Sequence, residues 1–490
     1  MLGIHSSLKN KVVSHQEAAA MIRDGNVVAV SGYTSAGDPK GVLLELANLC
    51  EKKKLSSIDL ISAAQLSNEV ENRLAKSGLL QRRAPFSTSS EIRNLANMEQ
   101  LHYVEVQMSK MPRLVRNGAF GEIDFAIIEA MAIGKNGDVV LTSSVGMSPQ
   151  FCMQAKNIII EINSAQPEEL FGVHDLYETN IHMGGALHTV HERIGKKVMH
   201  VDVDKIKAIV FSDINDELPK KTISTTGEIQ IANQLQYFLR NNYAHDQLAP
   251  IQTGIGNLSK TIIKSFDDGY YDNVDYFCGA LQEEMVCQLK KGIARYLSGS
   301  SVAITNETKL CFKELGKELP KHLFLRDMEI SNGAASIASV GLIALNTGLE
   351  MDMFGNLNSS HVFGSRVING IGGGATFAQN SILSVVLLES SKKNGNISTF
   401  VPRIPHIDIV HHDVDVVISE QGIADLRGKD DIECALEIIK QCAHPDYKEE
   451  LYKELRQAIR IDLGHHPINY RKGCEWHARL AATGSMKVDG

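Results

Sequence analysis

Nowhere in the 490-residue chain is there a run of about 18 apolar residues, so no segment is long enough to cross a bilayer as a helix. There is no Lys/Arg-rich block either, and the net charge is -8. That combination excludes a nucleic-acid footprint, which needs a basic stripe, and leaves any anionic ligand to a local site. Eight cysteines, at positions 50, 152, 278, 287, 311, 434, 442 and 474, include no C-x-x-C pair. Neither a zinc knuckle nor a disulfide framework is indicated, and a reducing cytoplasm fits best. The opening MLGIHSSLKNKVVSHQEAAAMI lacks the apolar centre of a secretory signal and the Arg/Ser-rich character of a transit peptide.

What remains is 43% hydrophobic and 22% charged, the composition of a globular protein large enough for two or three cores. Its grammar is strand, turn, helix, repeated. Asn26 to Ser31 (NVVAVS) is a β-branched run followed by GYTSAGDPKG and the helical VLLELANLCEKKK, which predicts a parallel α/β sheet. SSIDLISA, IDFAIIEA, NIIIEIN and KAIVFS read as buried strands in the first half, and VDYFCGA, SSVAIT, LSVVLLES and DVDVVISE in the second. Ile123 to Ala130 and Val414 to Gln421 are both Asp-marked apolar strands ending in glutamate. They read equally well as an echo between tandem halves or as the ordinary likeness of buried strands. The aperiodic polar run Ser212 to Glu228 is the candidate linker, giving domains 1–220 and 221–490.

Two glycine loops carry chemical interest. In QTGIGNLSKTIIKSF, Gly254 and Gly256 precede a helix with Leu258, Ile262 and Phe266 on one face. Such a turn bares N–H groups to an anion, but it lacks the G-K-[ST] ending of a phosphate loop and is on its own a tight strand-helix turn. NGIGGGATFAQN packs Gly370, Gly372, Gly373 and Gly374 into five residues, a density that permits close backbone approach to a ligand. Lys392 and Lys393 lie downstream as candidate partners for an anionic cofactor.

IPHIDIVHHDVDVV gathers His406, Asp408, His411, His412 and Asp413. Read as strand, it places His411 and His412 on opposite faces, so no metal site is expected. Glu420, at the carboxyl end of the strand-like DVDVVISE, sits where α/β folds place ligands. A nicotinamide or nucleotide-phosphate enzyme is disfavoured, because no acidic residue follows a G-x-G-x-x-G turn at the usual distance.

With these residues assembled, the chain resembles the acetyl-CoA hydrolase and succinyl-CoA:acetate CoA-transferase family, the class I CoA-transferases that include the 4-hydroxybutyrate enzymes. The resemblance runs from about Asn26 to Arg427 through SGYTSAGDPK, EINSAQPEELFGVHDLY, QTGIGN, MEISNGA, GLEMDMFGNLNSSHVFGS, NGIGGGATFAQN and VISEQGIADLRG. It implies two tandem open α/β domains with the active site between them, usually in a homodimer. The implied chemistry is transfer of CoA between short carboxylic acids by way of a glutamyl thioester, with no cofactor beyond CoA. It also implies CoA contacts at Thr253, Gly254, Ile255, Gly256, Asn257, Asn332, Gly372, Gly373 and Lys393, a substrate-side carboxylate at Glu420, and a small-acid pocket lined by Ser31 to Lys40.

One position departs from the family pattern. The nucleophilic glutamate of a motif close to Y-T-E-V-[IL]-Q-D-G-M falls, in F-C-G-A-L-Q-E-E-M, on Gly279. Glycine offers no carboxylate. A helical reading of LQEEMVCQL buries Leu281, Met285 and Leu289 and turns Glu283 about 200° away towards solvent. Glu284 is the nearer substitute, though both glutamates suit a charged helix start. Hydrolysis of acyl-CoA with Glu420 as base, and CoA binding without catalysis, are the alternative functions.

Overall fold

The computed structural model describes residues 3–177, 186–219, 222–461, 464–470 and 472–487. Its mixed α/β architecture divides into two compact units. One comprises Met1–Lys221 and Asn273–Val340, the other Thr222–Asp272 and Gly341–Gly490. The first passage from unit to unit falls within the polar run Ser212 to Glu228, where the described residues between Ser212 and Thr226 form no helix or strand. The boundaries 1–220 and 221–490 nevertheless need correction, because Asn273–Val340 packs with the N-terminal unit. No local signal marks that return, since each of its strands reads like any other buried strand.

In the first unit, the strand Phe125–Ile133 is buried along its whole length. It lies parallel to Asn26–Val30 and to Asn157–Asn163. Asn26–Val30 pairs onward with Ile58–Ser62, which pairs with Leu80–Ala84, and Asn157–Asn163 pairs with Ile206–Ser212, all parallel. Continuous Val/Ile/Leu runs suit strands covered on both faces. The cover includes helices Lys40–Glu51 and Asn68–Ser77, whose Leu43, Leu46, Val70 and Leu74 pack with Val28, Val30, Leu60 and Ile127. A second sheet of this unit runs Val274–Phe277, Ala294–Gly299, Leu323–Arg326, His174–Asp175, again parallel.

The last of those strands is held by buried polar groups. Arg326 pairs with Asp175, both fully buried, and donates to Ser298 Oγ at 2.9 Å and Val190 O at 3.1 Å. Beside it, His174 Nε2 lies 2.9 Å from the Thr142 carbonyl oxygen, which makes this nitrogen the protonated one.

In the second unit, Ile251–Thr253, Ile343–Thr347, Leu383–Leu387 and Val416–Ser419 form a parallel series closed by the antiparallel Gly422–Asp425. Val386, Val417 and Ala424 pack with Ile438, Ile439 and Leu451 of helices Asp431–Gln441 and Pro445–Ile461. Because the four strands are parallel, Thr347 at its strand's last position and Gly254, Leu388 and Glu420 just after theirs all lie at the carboxyl ends of the series. Among the described residues no helix is long and apolar enough to cross a membrane.

Two local expectations change. His411–Asp413 is a 3-10 turn, and the His411 and His412 rings pack with centroids 3.8 Å apart, so the strand argument for separating them fails. Leu281 belongs to the short strand Ala280–Leu281, and the helix begins at Glu283. With the helix starting there, Glu283 is half-buried.

Burial depresses His174 to about 4 from 6.5, so the ring is neutral in the fold and its stabilising effect is complete above about pH 6.5. That effect is lost as the pH falls towards 4, by up to about 3 kcal/mol for a shift of this size. The expected outcome is that His174→Gln, whose amide does not titrate, costs less at pH 4 than at pH 7. Urea unfolding of both proteins at the two pH values checks it.

Candidate functional site

In the first unit the candidate site is built on the loop Ser31 to Lys40. It follows the strand Asn26–Val30 and turns back through Thr34 and Ser35 at φ 54° and 63°. Two consecutive non-glycine residues in the left-handed region cost about 1–3 kcal/mol each. The loop closes on itself through reciprocal backbone bonds between Tyr33 and Ala36 at 3.0 and 3.3 Å. Gly37 has φ 67°, and an added Cβ would lie 2.5 Å from Ser144 Oγ, so only glycine fits that corner.

The far end of the loop is anchored by charge. Lys40 Nζ, 4% exposed, sits 2.7 Å from Asp216 Oδ1, 3.3 Å from Asp38 Oδ1 and 3.5 Å from Glu129 Oε2. Burial opposes the charge on Lys40, and the three carboxylates outweigh it, leaving its affinity for the proton well above the ordinary value. Burial pushes Glu129 up to about 8 against the pull of Lys40. In Asp216 burial is outweighed by Lys40 and by hydrogen bonds from Gln166, Lys40 and Ser143, so this carboxyl is lowered. The loop expected to line a small-acid pocket is therefore mostly packed inside, with Thr34 and Ser35 half-exposed at its turn.

Tyr33 points from this loop at position 279. Its hydroxyl donates to Asn332 Oδ1 at 3.1 Å, and the residue is 2% exposed. Ser331 Oγ donates to the same Asn332 oxygen at 2.9 Å. Burial raises the Tyr33 phenol far above its ordinary value, so it stays protonated. Gly279 follows the strand Val274–Phe277 and Cys278, and its carbonyl accepts from Ser300 N at 2.8 Å. An added Cβ there would lie 2.4 Å from Tyr33 Oη and 3.3 Å from Asn332 Nδ2. The first atom of any side chain at 279 thus meets a phenol already hydrogen-bonded in place. Glu284 lies in the first turn of the helix Glu283–Lys291, half-buried.

In the second unit a cavity of about 210 Å³ is lined by Ile255, Gly256 and Asn257 together with Thr347, Glu389 and Lys392. Of the residues expected to contact CoA, Ile255, Gly256 and Asn257 therefore line one cavity. Asn257 Nδ2 also donates to the Ile223 carbonyl at 3.2 Å, stapling the loop to the segment before helix Thr226–Asn242. Thr253 is buried, and its hydroxyl donates to the Gly254 carbonyl at 3.3 Å. Lys392 reaches the cavity and pairs with Glu389. Lys393, at φ 49° in the adjoining hairpin turn, is exposed and lies off its lining.

Gly372 has φ 59° and Gly373 caps the helix Gly374–Asn380. Their loop is held at one end by Ile368 N and Asn369 N donating to the Ser360 carbonyl at 2.9 and 3.2 Å, and at the other by Asn346 Nδ2 donating to the Gly374 carbonyl at 3.3 Å. Ser360 is itself fixed by Asp408, to which its hydroxyl donates at 2.7 Å. Glu420 accepts from Ser390 N at 2.8 Å and from Gln421 Nε2 at 3.1 Å, so its carboxylate is oriented by the strand end beside it.

The histidine cluster has a fixed proton pattern. His466 Nδ1 is 2.6 Å from Asp431 Oδ2, and its Nε2 faces Arg403 Nη1 at 3.2 Å. A guanidinium can only donate, so Nε2 accepts and Nδ1 carries the proton. That ring has no lone pair to turn towards Asp431 and His411. Sequence reading placed Tyr33 only within the pocket loop Ser31 to Lys40 and missed its contact with position 279, because the 246-residue separation left no local signal.

The chain matches the acetyl-CoA hydrolase/transferase N-terminal domain over residues 4–211 and the corresponding C-terminal domain over residues 312–455. It is 34% identical to succinyl-CoA:acetate CoA-transferase of Clostridium kluyveri, covering 98% of this chain and 91% of that protein. It is 33% identical to acetyl-CoA hydrolase of Eremothecium gossypii, covering 98% and 96%. The crystal structure of RipA from Yersinia pestis shares the fold with a TM-score of 0.73 at 18% identity, over 92% of this chain and 98% of that one.

Gly279→Ala is expected to destabilise the protein by about 1–3 kcal/mol, the usual cost of overpacking. Tyr33→Phe removes the clashing oxygen, so it should destabilise the parent by loss of the Asn332 bond yet recover part of the loss in the Gly279→Ala background. A double-mutant cycle by thermal or denaturant unfolding measures the opposite signs.

Proposed function

We propose, for a chain that belongs to the acetyl-CoA hydrolase/transferase family, that it transfers CoA between short carboxylic acids of the acetate, succinate, butyrate or 4-hydroxybutyrate type without forming a covalent adduct at position 279. The observation that carries this reading is the Tyr33 hydroxyl 2.4 Å from where a side chain at 279 would begin. A glutamyl thioester at this position needs both a carboxylate and the room for it.

Transfer does not require an enzyme nucleophile. The acceptor carboxylate attacks the thioester carbonyl, the C–S bond breaks, and a mixed anhydride and CoA thiolate result. The thiolate then attacks the other carbonyl of the anhydride and releases the donor acid as its carboxylate. No proton is gained or lost. The protein's share is to hold two acids and CoA in line and to meet the developing oxyanions with fixed donors.

In this reading Thr253, Gly254, Ile255, Gly256 and Asn257, with Gly372, Gly373 and Lys393, hold CoA. Asn332, buried and bonded to Tyr33, supports the phenol. Glu420 is the carboxylate oriented towards substrate, and the enzyme works as a cytoplasmic homodimer with no cofactor beyond CoA. Hydrolysis is the second reading, favoured by the same glycine. Water replaces the acceptor acid and Glu420 takes its proton.

The transferase reading predicts sequential kinetics, with intersecting initial-rate lines for acyl-CoA and acceptor acid. It also predicts no mass change of the protein after incubation with acyl-CoA and borohydride, which expels CoA from a glutamyl thioester and leaves the lighter alcohol in place of the carboxylate. Parallel lines with that mass loss would overturn it, and absence of the loss in Glu284→Gln or Glu420→Gln would identify the carboxylate. Thioester loss at equal rates with and without acceptor acid selects hydrolysis. Gly279→Glu alone is expected to leave the intersecting pattern unchanged, because Tyr33 still fills the position.

A further inference from the structure

Away from Gly279, on the two helices that follow its strand, two thiols and a carboxylate converge. Cys287 lies on the helix Glu283–Lys291, and Cys311 lies on the helix Asn306–Leu315. Their sulfurs are 3.9 Å apart. Glu307, one turn before Cys311 on the same helix, brings a carboxylate oxygen so that all three ligand atoms lie within 4.8 Å of one another. Cys311 is buried, Cys287 half-buried and Glu307 exposed, so the group is closed on the sulfur side and open to water on the carboxylate side.

The sulfur separation is informative. Two zinc–sulfur bonds of about 2.3 Å at a tetrahedral angle place their sulfurs about 3.8 Å apart. A disulfide requires about 2.05 Å, well short of the present separation, so the two sulfurs are not bonded to each other. The present spacing suits an atom placed between them. The i, i+4 relation of Glu307 and Cys311 puts a hard ligand and a soft ligand on one helical face.

We propose that Cys287, Cys311 and Glu307 form a binding site for a thiophilic divalent cation of the zinc(II) or cadmium(II) class, with the fourth coordination position taken by water. Binding replaces two thiol protons by two metal–sulfur bonds, and with the carboxylate the occupied site carries a net charge of minus one. Burial pushes Cys287 up to about 12, reinforced by Cys311 and by Glu283 and Glu307. Burial likewise raises Cys311, with the hydrogen bond to Cys287 and the charge of Lys290 opposing and Glu307 and Glu314 reinforcing. Lys290 is engaged with Glu314 at 2.9 Å, which keeps its ammonium paired beside the site.

The test uses the full chain, freed of metal and kept reduced with a phosphine, and titrates it with cadmium(II) while following thiolate-to-metal charge-transfer absorption. The expected result is one cadmium per chain. The band should be lost in Cys287→Ser and Cys311→Ser and kept in Cys474→Ser, which removes the exposed cysteine. Glu307→Gln should retain the band with affinity weakened about 10-fold or more. Should Cys311→Ser fail to fold, Cys287→Ser at the half-buried position and zinc(II) protection of both thiols against iodoacetamide in the unaltered chain decide the matter. Absence of the band, its survival in Cys287→Ser, its loss in Cys474→Ser, or alkylation at the same rate with and without saturating zinc(II) would each overturn the site. None of these readouts depends on CoA transfer.

Discussion

The buried ammonium of Lys40 is the contact on which the candidate site of the first unit depends. One buried cation lies within 3.5 Å of Asp38, Glu129 and Asp216, and without it these three carboxyl groups would face one another in a medium that penalises charge on each of them. The same contact pins the end of a loop whose middle residues sit in an unfavourable backbone region. Charge pairing at one end thereby offsets strain at the other. The loop in turn delivers the Tyr33 phenol to Gly279, so the surroundings of position 279 are shaped by an ion cluster that does not touch it.

The strands were largely legible from composition alone. NIIIEIN is a strand over its full length, and the NVVAVS, LSVVLLES and DVDVVISE runs each hold one. Buried parallel strands announce themselves because both faces must be apolar. The crossing of Asn273–Val340 back to the first unit was not legible, since a strand's sequence carries its burial and not its neighbour. The histidine turn was misread for a related reason. Val410, Val414 and their neighbours look like strand, while the local backbone winds tightly enough to bring adjacent rings into contact at a tilt.

The site was legible as a set of loops and opaque as a geometry. The glycine pattern drew attention to Ile255, Gly256 and Asn257, which line one cavity, and of the lysine pair it is Lys392, not Lys393, that lines it. Asn332 could be named only through family likeness, and its partner Tyr33 only as one member of the loop Ser31 to Lys40. Contacts between residues hundreds of positions apart are set by topology, so only the folded chain shows that the missing carboxylate and a buried phenol concern the same few cubic ångströms.

The reciprocal fit of Tyr33 and Gly279 also sets a direction on how such a chain can change its chemistry over generations. Acquiring a glutamate first drives a side chain into a hydroxyl that is hydrogen-bonded in place, and the intermediate is penalised before any benefit exists. Losing the phenol first sacrifices a hydrogen bond and leaves a small void, a far milder intermediate. The two substitutions do not commute. For lineages of this sequence the milder order is loss of the phenol before gain of a nucleophile, and while the tyrosine stays, any side chain at that position carries the cost of displacing it.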